Sequence, residues 1–318
     1  MYKLSVISGF LGRVANRFMQ YRENRSFAEK VELASRIKGL DGLEVCYPAD
    51  FENPKETKKL LQDHGLGVSS VNFRSRRTGK WWRGSFTSEK GEERREVVED
   101  FKRAVDIAAD LGCSKVTTCP LNEGSDYLFE MDYQRAYGYF EETITEVAKH
   151  RSDMRICLEY KLSDPRARTM LGTAGETVAF CEQVGLPNVG LTLDIGHSLY
   201  AQERPGQALV LAQRSNRLFH IHLNDNDKMW DWDMLPGAYN LWDLVEFFYY
   251  LKKVGYSDWC AYDIFPKETD RKETFEAAIR LTKRLVELSE RVDVATMDKL
   301  LTERNPNRNI EYVFSLLE

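Results

Sequence analysis

Short apolar runs alternate with longer amphipathic ones along the whole chain, and the alternation can be counted. Eight runs read as strands: KLSVISG from Lys3, GLEVCYP from Gly42, GVSSVNF from Gly67, KVTTCP from Lys115, RICLEY from Arg155, VGLTLDIG from Val189, LFHIHLND from Leu218 and WCAYDIFP from Trp259. Each is short, rich in β-branched or aromatic residues, and bounded by Gly, Pro, Asn or charged residues. Between them FAEKVELASRI, EVVEDFKRAVDIAADLG, YGYFEETITEVAKH and TFEAAIRLTKRLVELSERV carry apolar residues at i, i+3 and i+4, one stripe per helix. Gly112 and Gly185 stand where helices should stop, because glycine takes the left-handed conformation that ends a helix.

Eight strands alternating with helices, without a linker-like change in composition, predict a single α/β domain, a parallel (β/α)8 TIM barrel over residues 1–290. A doubly wound open sheet is the alternative. Such sheets usually stop at five or six strands, and no GxGxxG turn supports one here. Two regions depart from the repeat. RSRRTGKWWRGSFTSEKGE, Arg74 to Glu92, is a long loop after the third strand and a candidate lid. Residues 291–318 form a C-terminal extension whose apolar positions are expected at a subunit interface, in a homodimer or homotetramer, rather than on the closed barrel.

Charge and composition narrow the function. The net charge of -5 argues against nucleic-acid binding, whose footprint is usually basic. No apolar run reaches the roughly 18 to 20 residues that span a bilayer, and the N-terminus lacks the pattern of a signal peptide. A cytoplasmic protein without a membrane partner is expected. Its six cysteines show no CxxC pairing and read as reduced core residues.

In a barrel of this kind the active site forms where the strands end, and the last four strands end on Glu159, Asp194, His222 and Asp263. Three carboxylates and an imidazole at one mouth repel one another unless a cation lies among them, and a divalent metal ion is the simplest. In CLEYK, Lys161 lies two residues beyond Glu159, close enough for its ammonium to stabilise a substrate oxygen that gains negative charge. In LTLDIGHSLY, His197 follows Asp194 by three residues in the next loop. Asp231 and Asp233 of WDWD can curl back over the mouth, and with Asp194 and His197 they make a second site of hard ligands. The dominance of carboxylates favours Mg²⁺, Mn²⁺ or Co²⁺ over zinc, with no thiolate positioned among them.

Other residues carry weaker signals. His220 shares a face with His222 and sits deeper; Asp225 and Asp227 read as turn residues; His64 and His150 read as surface. In the lid, Trp81 or Trp82 is expected to wall a ligand's apolar face. Asn72, Asn122 and Glu123, at the ends of the third and fourth strands, are expected to supply hydrogen bonds.

Taken together, E-x-K after the fifth strand, D-x-x-H after the sixth, HLND on the seventh, the following D-x-D and the Asp of the eighth resemble the xylose isomerase-like barrels, over roughly residues 1 to 290. Within them the chain is similar to the two-metal aldose-ketose isomerases, including the rhamnose isomerase group. The resemblance implies a structural ion on Glu159, Asp194, His222 and Asp263 and a catalytic ion on Asp194, His197, Asp231 and Asp233. It gives Lys161 the place of the lysine that touches O1 of an open-chain sugar, with Glu159 and Asp231 in the catalytic set and His197 beside the substrate. The implied reaction is a 1,2-hydride shift assisted by two Mg²⁺ or Mn²⁺ ions on a small unphosphorylated sugar: a branched pentose of the apiose type, xylose or a deoxyhexose such as rhamnose. One departure stands out: GLEVCYPADF has no ring-opening His, only Asp50 nearby.

Two competing functions follow from the same residues. A one-metal ketose 3-epimerase would use Glu159 and Asp263 as acid and base about C3, and leaves Asp231 and Asp233 without a role. A three-zinc DNA-repair endonuclease of the same superfamily would need more ligand histidines than five readily supply.

Overall fold

The computed structural model describes residues 2–15 and 19–317, so Glu318, the end of the expected extension, lies outside the described residues. Among the described residues eight strands close into a parallel barrel: β1 (Lys3–Ile7), β2 (Gly42–Tyr47), β3 (Gly67–Phe73), β4 (Lys115–Thr118), β5 (Arg155–Glu159), β6 (Val189–Asp194), β7 (Leu218–Leu223) and β8 (Trp259–Tyr262). Each pairs with its neighbours in chain order, and β1 closes the ring against β8. The eight apolar runs predict where each of these barrel strands begins.

Helices α1 (Phe27–Ser35), α2 (Pro54–Asp63), α3 (Gly91–Asp110), α4 (Tyr133–His150) and α5 (Ala174–Val184) ring the first half. Then come the short α6 (Ile195–Tyr200), α7 (Pro205–Arg214), α8 (Leu241–Lys253) and α9 (Arg271–Arg291). The periodicity picks out α1, α3, α4 and α9. It misses α2, α5 and α7. It misses α8 because LWDLVEFFYYLKK is apolar on most of its circumference. Gly185 caps α5 at φ 69°, as its position implies.

Alternate residues of each strand point to opposite faces, and here both faces are buried for different reasons. Leu43, Val45, Leu191, Leu193, Ile221 and Leu223 join the apolar core. The intervening residues are polar and meet across the barrel interior: Ser5 Oγ donates to Ser69 Oγ at 2.8 Å, Thr117 and Thr192 hydroxyls lie 2.8 Å apart, and His220 Nε2 is 2.8 Å from Glu44. Each of these pairs joins strands that are not neighbours in the sheet, so the bonds cross the lumen. The apolar half packs the helices; the polar half is a column that rises to the mouth.

Two helices, α10 (Val294–Glu303) and α11 (Pro306–Ser315), carry the tail onto α8 of the same chain, while Leu301, Ile310, Phe314 and Leu317 stay exposed. Met297 and Val292 bury against Tyr249, with Tyr312, Val313 and Leu316 packed around them, and Phe314 lies 4.9 Å from Trp242, ring to ring. Lys252 fastens the junction by donating to the carbonyls of Ser289 and Val292. Among the described residues no helix is long and apolar enough to cross a membrane.

The long loop after β3 is anchored, not loose. Glu123, fully buried after β4, takes the backbone N–H groups of Ser85, Phe86 and Thr87 and the hydroxyls of Ser85 and Thr87 on its carboxylate. It therefore has nothing left to offer a ligand, contrary to expectation. Gly84 must be glycine beside this clamp: its φ is +93°, and a Cβ would lie 2.4 Å from Thr87 Oγ1. Glu123→Ala should cost on the order of 3 to 5 kcal/mol, because three buried N–H groups lose their acceptor together. Urea unfolding measures the loss, and proteolysis within residues 76–88 should accelerate; an unchanged midpoint and cleavage pattern would remove the anchoring role.

Candidate metal centre at the barrel mouth

The register explains why the strand-end residues converge. Asp194 pairs with His222 across β6 and β7, and Glu159 ends β5 beside Thr192, two residues below Asp194. All four expected residues meet: Glu159, Asp194, His222 and Asp263 each offer an atom within 4.8 Å of the others. His222 Nδ1 is the hub, 3.3 Å from Glu159 Oε1 and 3.7 Å from both Asp194 Oδ2 and Asp263 Oδ2. Asp263 is the member open to the mouth, 15% exposed against 0% for Asp194.

Asp194 also starts α6. Its Oδ1 accepts the N–H of His197 at 2.8 Å, an N-cap that fixes the D-x-x-H spacing, so His197 sits on a short helix and not in an irregular loop. The same carboxylate is held from the far side by Asn224 Nδ2, at 3.1 and 3.0 Å from its two oxygens. Asn224 was not singled out from the sequence, although it is the N of HLND.

A second group, Asp194, His197 and Asp231, also lies within 4.8 Å, as the two-ion reading requires. Here the structure adds a competitor: Lys161 Nζ is 2.8 Å from Asp231 Oδ2 and 3.1 Å from Asp164 Oδ2. Arg76 of the loop in turn holds Asp164 at 3.0 Å. Lys161 thus lies on a carboxylate assigned from the sequence to a metal ion. Asp233 is half-buried nearby at φ 50°, but belongs to neither group.

The electrostatics follow from these neighbours. Burial works against charge on Lys161 and His197, yet Asp231 and Asp164 hold the lysine well above its usual range, and Asp194 and Asp231 lift His197 to about 9. Asp231 stays far below the carboxylate range despite burial, because Lys161 and His197 face it. Burial raises Asp233, and Asp231 raises it further. Burial pushes Asp263 up to about 7, with His222 opposing and Asp194 adding to the rise.

All of these shifts except that of Asp231 share one sign: at Lys161, His197, Asp233 and Asp263 the folded ion-free protein binds more protons than the unfolded chain. The His197 contribution is complete below its unfolded value near 6.5 and disappears as pH rises through about 9; Asp263 acts in the same direction between about 4 and 7. In EDTA the protein should therefore lose on the order of 3 kcal/mol between pH 6.5 and 9.5 from His197 alone. Thermal melts across that range test it, and a flat or rising profile would contradict it.

Several sequence-derived assignments change. Asn72 Nδ2 donates at 2.6 Å to Glu44, so its amide nitrogen faces into the barrel. Trp81 is buried in the apolar core with Arg77 and Lys80 over its ring at 5.2 and 5.5 Å, while Trp82 is 84% exposed. Asn122 Nδ2 donates to the Ser75 carbonyl at 3.3 Å. Asp50 is tied to Lys30 at 2.8 Å and to the Cys46 N–H. Asp225 and Asp227 are turn residues as expected, Asp225 accepting the N–H groups of Asn226, Tyr239 and Asn240. Not all cysteines are core: Cys119 Sγ lies within 4.8 Å of Glu159 and His197, its thiol kept protonated by burial and by Glu159.

Two further residues were missed. Arg74, at the end of β3, has a guanidinium that feels Asp263 and Glu159 and has a Cys46 sulfur 3.9 Å away. Glu44 is wholly buried under the centre and contacts both histidines of β7. A charged residue at the inward parity of an otherwise apolar strand, as in GLEVCY, is the signal that marks it.

Do these residues suit a divalent ion? Three carboxylates and one imidazole converge on one point, a hard oxygen and nitrogen set of the kind that holds Mg²⁺, Mn²⁺ or Co²⁺. His197 Nδ1, Asp231 Oδ1 and Asp233 Oδ1 are buried without a hydrogen-bond partner beside it. Such orphaned atoms are costly unless a ligand satisfies them. The donor set fits.

Comparisons with known proteins agree with this architecture. The structure is similar to that of 3-keto-D-glucoside 4-epimerase YcjR from E. coli, at 17% identity and a TM-score of 0.69, with 89% of this chain and 100% of that one covered. It is similar to L-ribulose 3-epimerase at 21% identity and a TM-score of 0.73, covering 92% and 96%. It also resembles the IolI protein with a bound zinc atom, at 18% identity and a TM-score of 0.67, covering 90% and 98%. At these identities the likeness is one of fold. The model of the xylose isomerase-like TIM barrel family matches residues 31–285, about four-fifths of the sequence, and the chain belongs to that family.

Proposed function

We propose that the protein is a divalent-metal-dependent enzyme acting on a small unphosphorylated sugar, and that it works as a one-ion ketose 3-epimerase. The observation that carries this reading is Lys161 Nζ at 2.8 Å from Asp231: an ammonium takes the place of the second cation, while Glu159, Asp194, His222 and Asp263 remain to hold one ion. When bound there, the ion would act as a Lewis acid on adjacent carbonyl and hydroxyl oxygens of the sugar.

The chain's own groups supply the proton chemistry. Glu159 and Asp263 converge on one point, 3.3 and 3.7 Å from His222 Nδ1, and two carboxyl groups so placed suit removal of a proton from one face of C3 and its return from the other. Asp263, the member open to the mouth, meets the substrate, and Arg74 is a further donor for its hydroxyls. Similar folds in ketose 3-epimerases, L-ribulose 3-epimerase among them, support the choice.

A second reading rests on the unpartnered oxygens of Asp231 and Asp233, which a second ion would satisfy. It is the aldose-ketose isomerase with a hydride shift. Turnover of ketoses and aldoses with Mn²⁺ in deuterium oxide separates the two. Epimerisation places deuterium on C3 of the product; an aldose-ketose pair formed without solvent deuterium at C1 or C2 selects the isomerase and removes the epimerase.

A further inference from the structure

We infer that Glu44 is a positioning residue for the metal centre: through a buried chain that starts at Lys115 and passes through His220, it fixes which ring nitrogen His222 presents to the ion. The inference rests on the proposed ion at Glu159, Asp194, His222 and Asp263, and it concerns residues below that set.

The protons along the chain are determined one after another. Lys115, 1% exposed, donates to the Phe219 carbonyl at 3.3 Å and to Asp258 at 2.9 Å, and its Nζ is 3.4 Å from His220 Nδ1. An ammonium has only donors, so His220 Nδ1 must accept. A neutral imidazole with an accepting Nδ1 carries its proton on Nε2, and that atom is 2.8 Å from Glu44 Oε2. Glu44, 0% exposed, therefore accepts there, and it accepts from Asn72 on its other oxygen. An ionised carboxylate has no proton to give, so His222 Nε2, 3.2 Å from Glu44 Oε2, must donate as well. The lone pair of neutral His222 is then on Nδ1, the nitrogen that faces Glu159, Asp194 and Asp263.

Glu44, His220 and His222 lie close enough to one another to suggest a second cation site of their own. Lys115 argues against it: both imidazole Nε2 atoms are used on Glu44, and a cation already stands behind His220. A carboxylate behind a ligating imidazole instead fixes its tautomer and ring orientation and raises its basicity. The same ring thus joins the column in the barrel interior to the mouth.

The test uses the full chain with Mg²⁺ or Mn²⁺. In Mg²⁺-loaded protein labelled with ¹⁵N-histidine, His222 should show a protonated Nε2 that exchanges slowly and an Nδ1 without a proton. Glu44→Gln places an amide N–H₂ against donors and should weaken Mn²⁺ binding by about 10- to 100-fold in calorimetry, with the His222 tautomer becoming mixed. Wild-type spectra with the proton on Nδ1 overturn the inference even if the variant does not fold. Equal Mn²⁺ affinity and the same tautomer in a folded variant overturn it too. A wild type that binds no ion removes the metal reading itself, and this role with it.

Discussion

Asp194→Asn should weaken Mn²⁺ binding by at least about 100-fold, and turnover on the order of 1,000-fold, while the barrel stays folded. Asp194 is the carboxylate shared by both ligand groups, and it is fully buried. Its capping role survives the change. Asn is as good an N-cap as Asp, so α6 keeps its first hydrogen bond to His197 N–H. What is lost is the charge, and with it the balance for any ion beside His222. The amide also confronts the Asn224 side chain, which donates to both oxygens of the carboxylate, so a stability loss of about 1 kcal/mol is expected. Calorimetric titration with Mn²⁺ and circular dichroism test the two halves separately. Retained affinity in a folded variant would remove Asp194 from the ligand set.

Lys161→Met should raise the number of ions bound per chain from one to two. In the wild type the ammonium lies 2.8 Å from Asp231 and competes with any cation for it. Without the ammonium, the buried Asp231 carboxylate keeps only His197, and the ion-free variant should lose about 3 to 5 kcal/mol, the usual cost of leaving one buried charge unpaired. Added Mn²⁺ should restore most of that by filling Asp194, His197 and Asp231. Counting ions by equilibrium dialysis decides it. Two ions in the wild type, or one in the variant, would mean that the lysine does not stand in for a cation, and the second reading would then take precedence.

The fold was legible because its signal is local. Strand starts at Lys3, Gly42 and Val189 follow from short runs rich in β-branched or aromatic residues and from bounding Gly or charged residues. Helices such as α8 were not, since a segment apolar on most of its circumference shows no stripe. The convergence of Glu159, Asp194, His222 and Asp263 was legible as well: in this fold strand ends define the mouth, so position along a strand predicts position in space. Trp81 and Glu123 show the limit. Both lie in or beside the loop after β3 and look available to a ligand, yet one is buried in the core and the other is used up by backbone N–H groups. Whether a loop residue faces ligand or loop depends on contacts made dozens of residues away.

By itself, then, the sequence determined the eight-stranded alternation and the residue types at the strand ends, because patterning and strand ends are properties of neighbours in the chain. The tertiary structure alone decided that Lys161 occupies Asp231, that the tail folds on α8, and that Glu44 of β2 stands beneath His222 of β7. Glu44 and His222 are separated by 178 residues, and only closure of the barrel brings them together. A hydrogen bond or ion pair needs its partners within about 3 Å, and no pattern along the chain encodes that distance between strands on opposite sides of a ring.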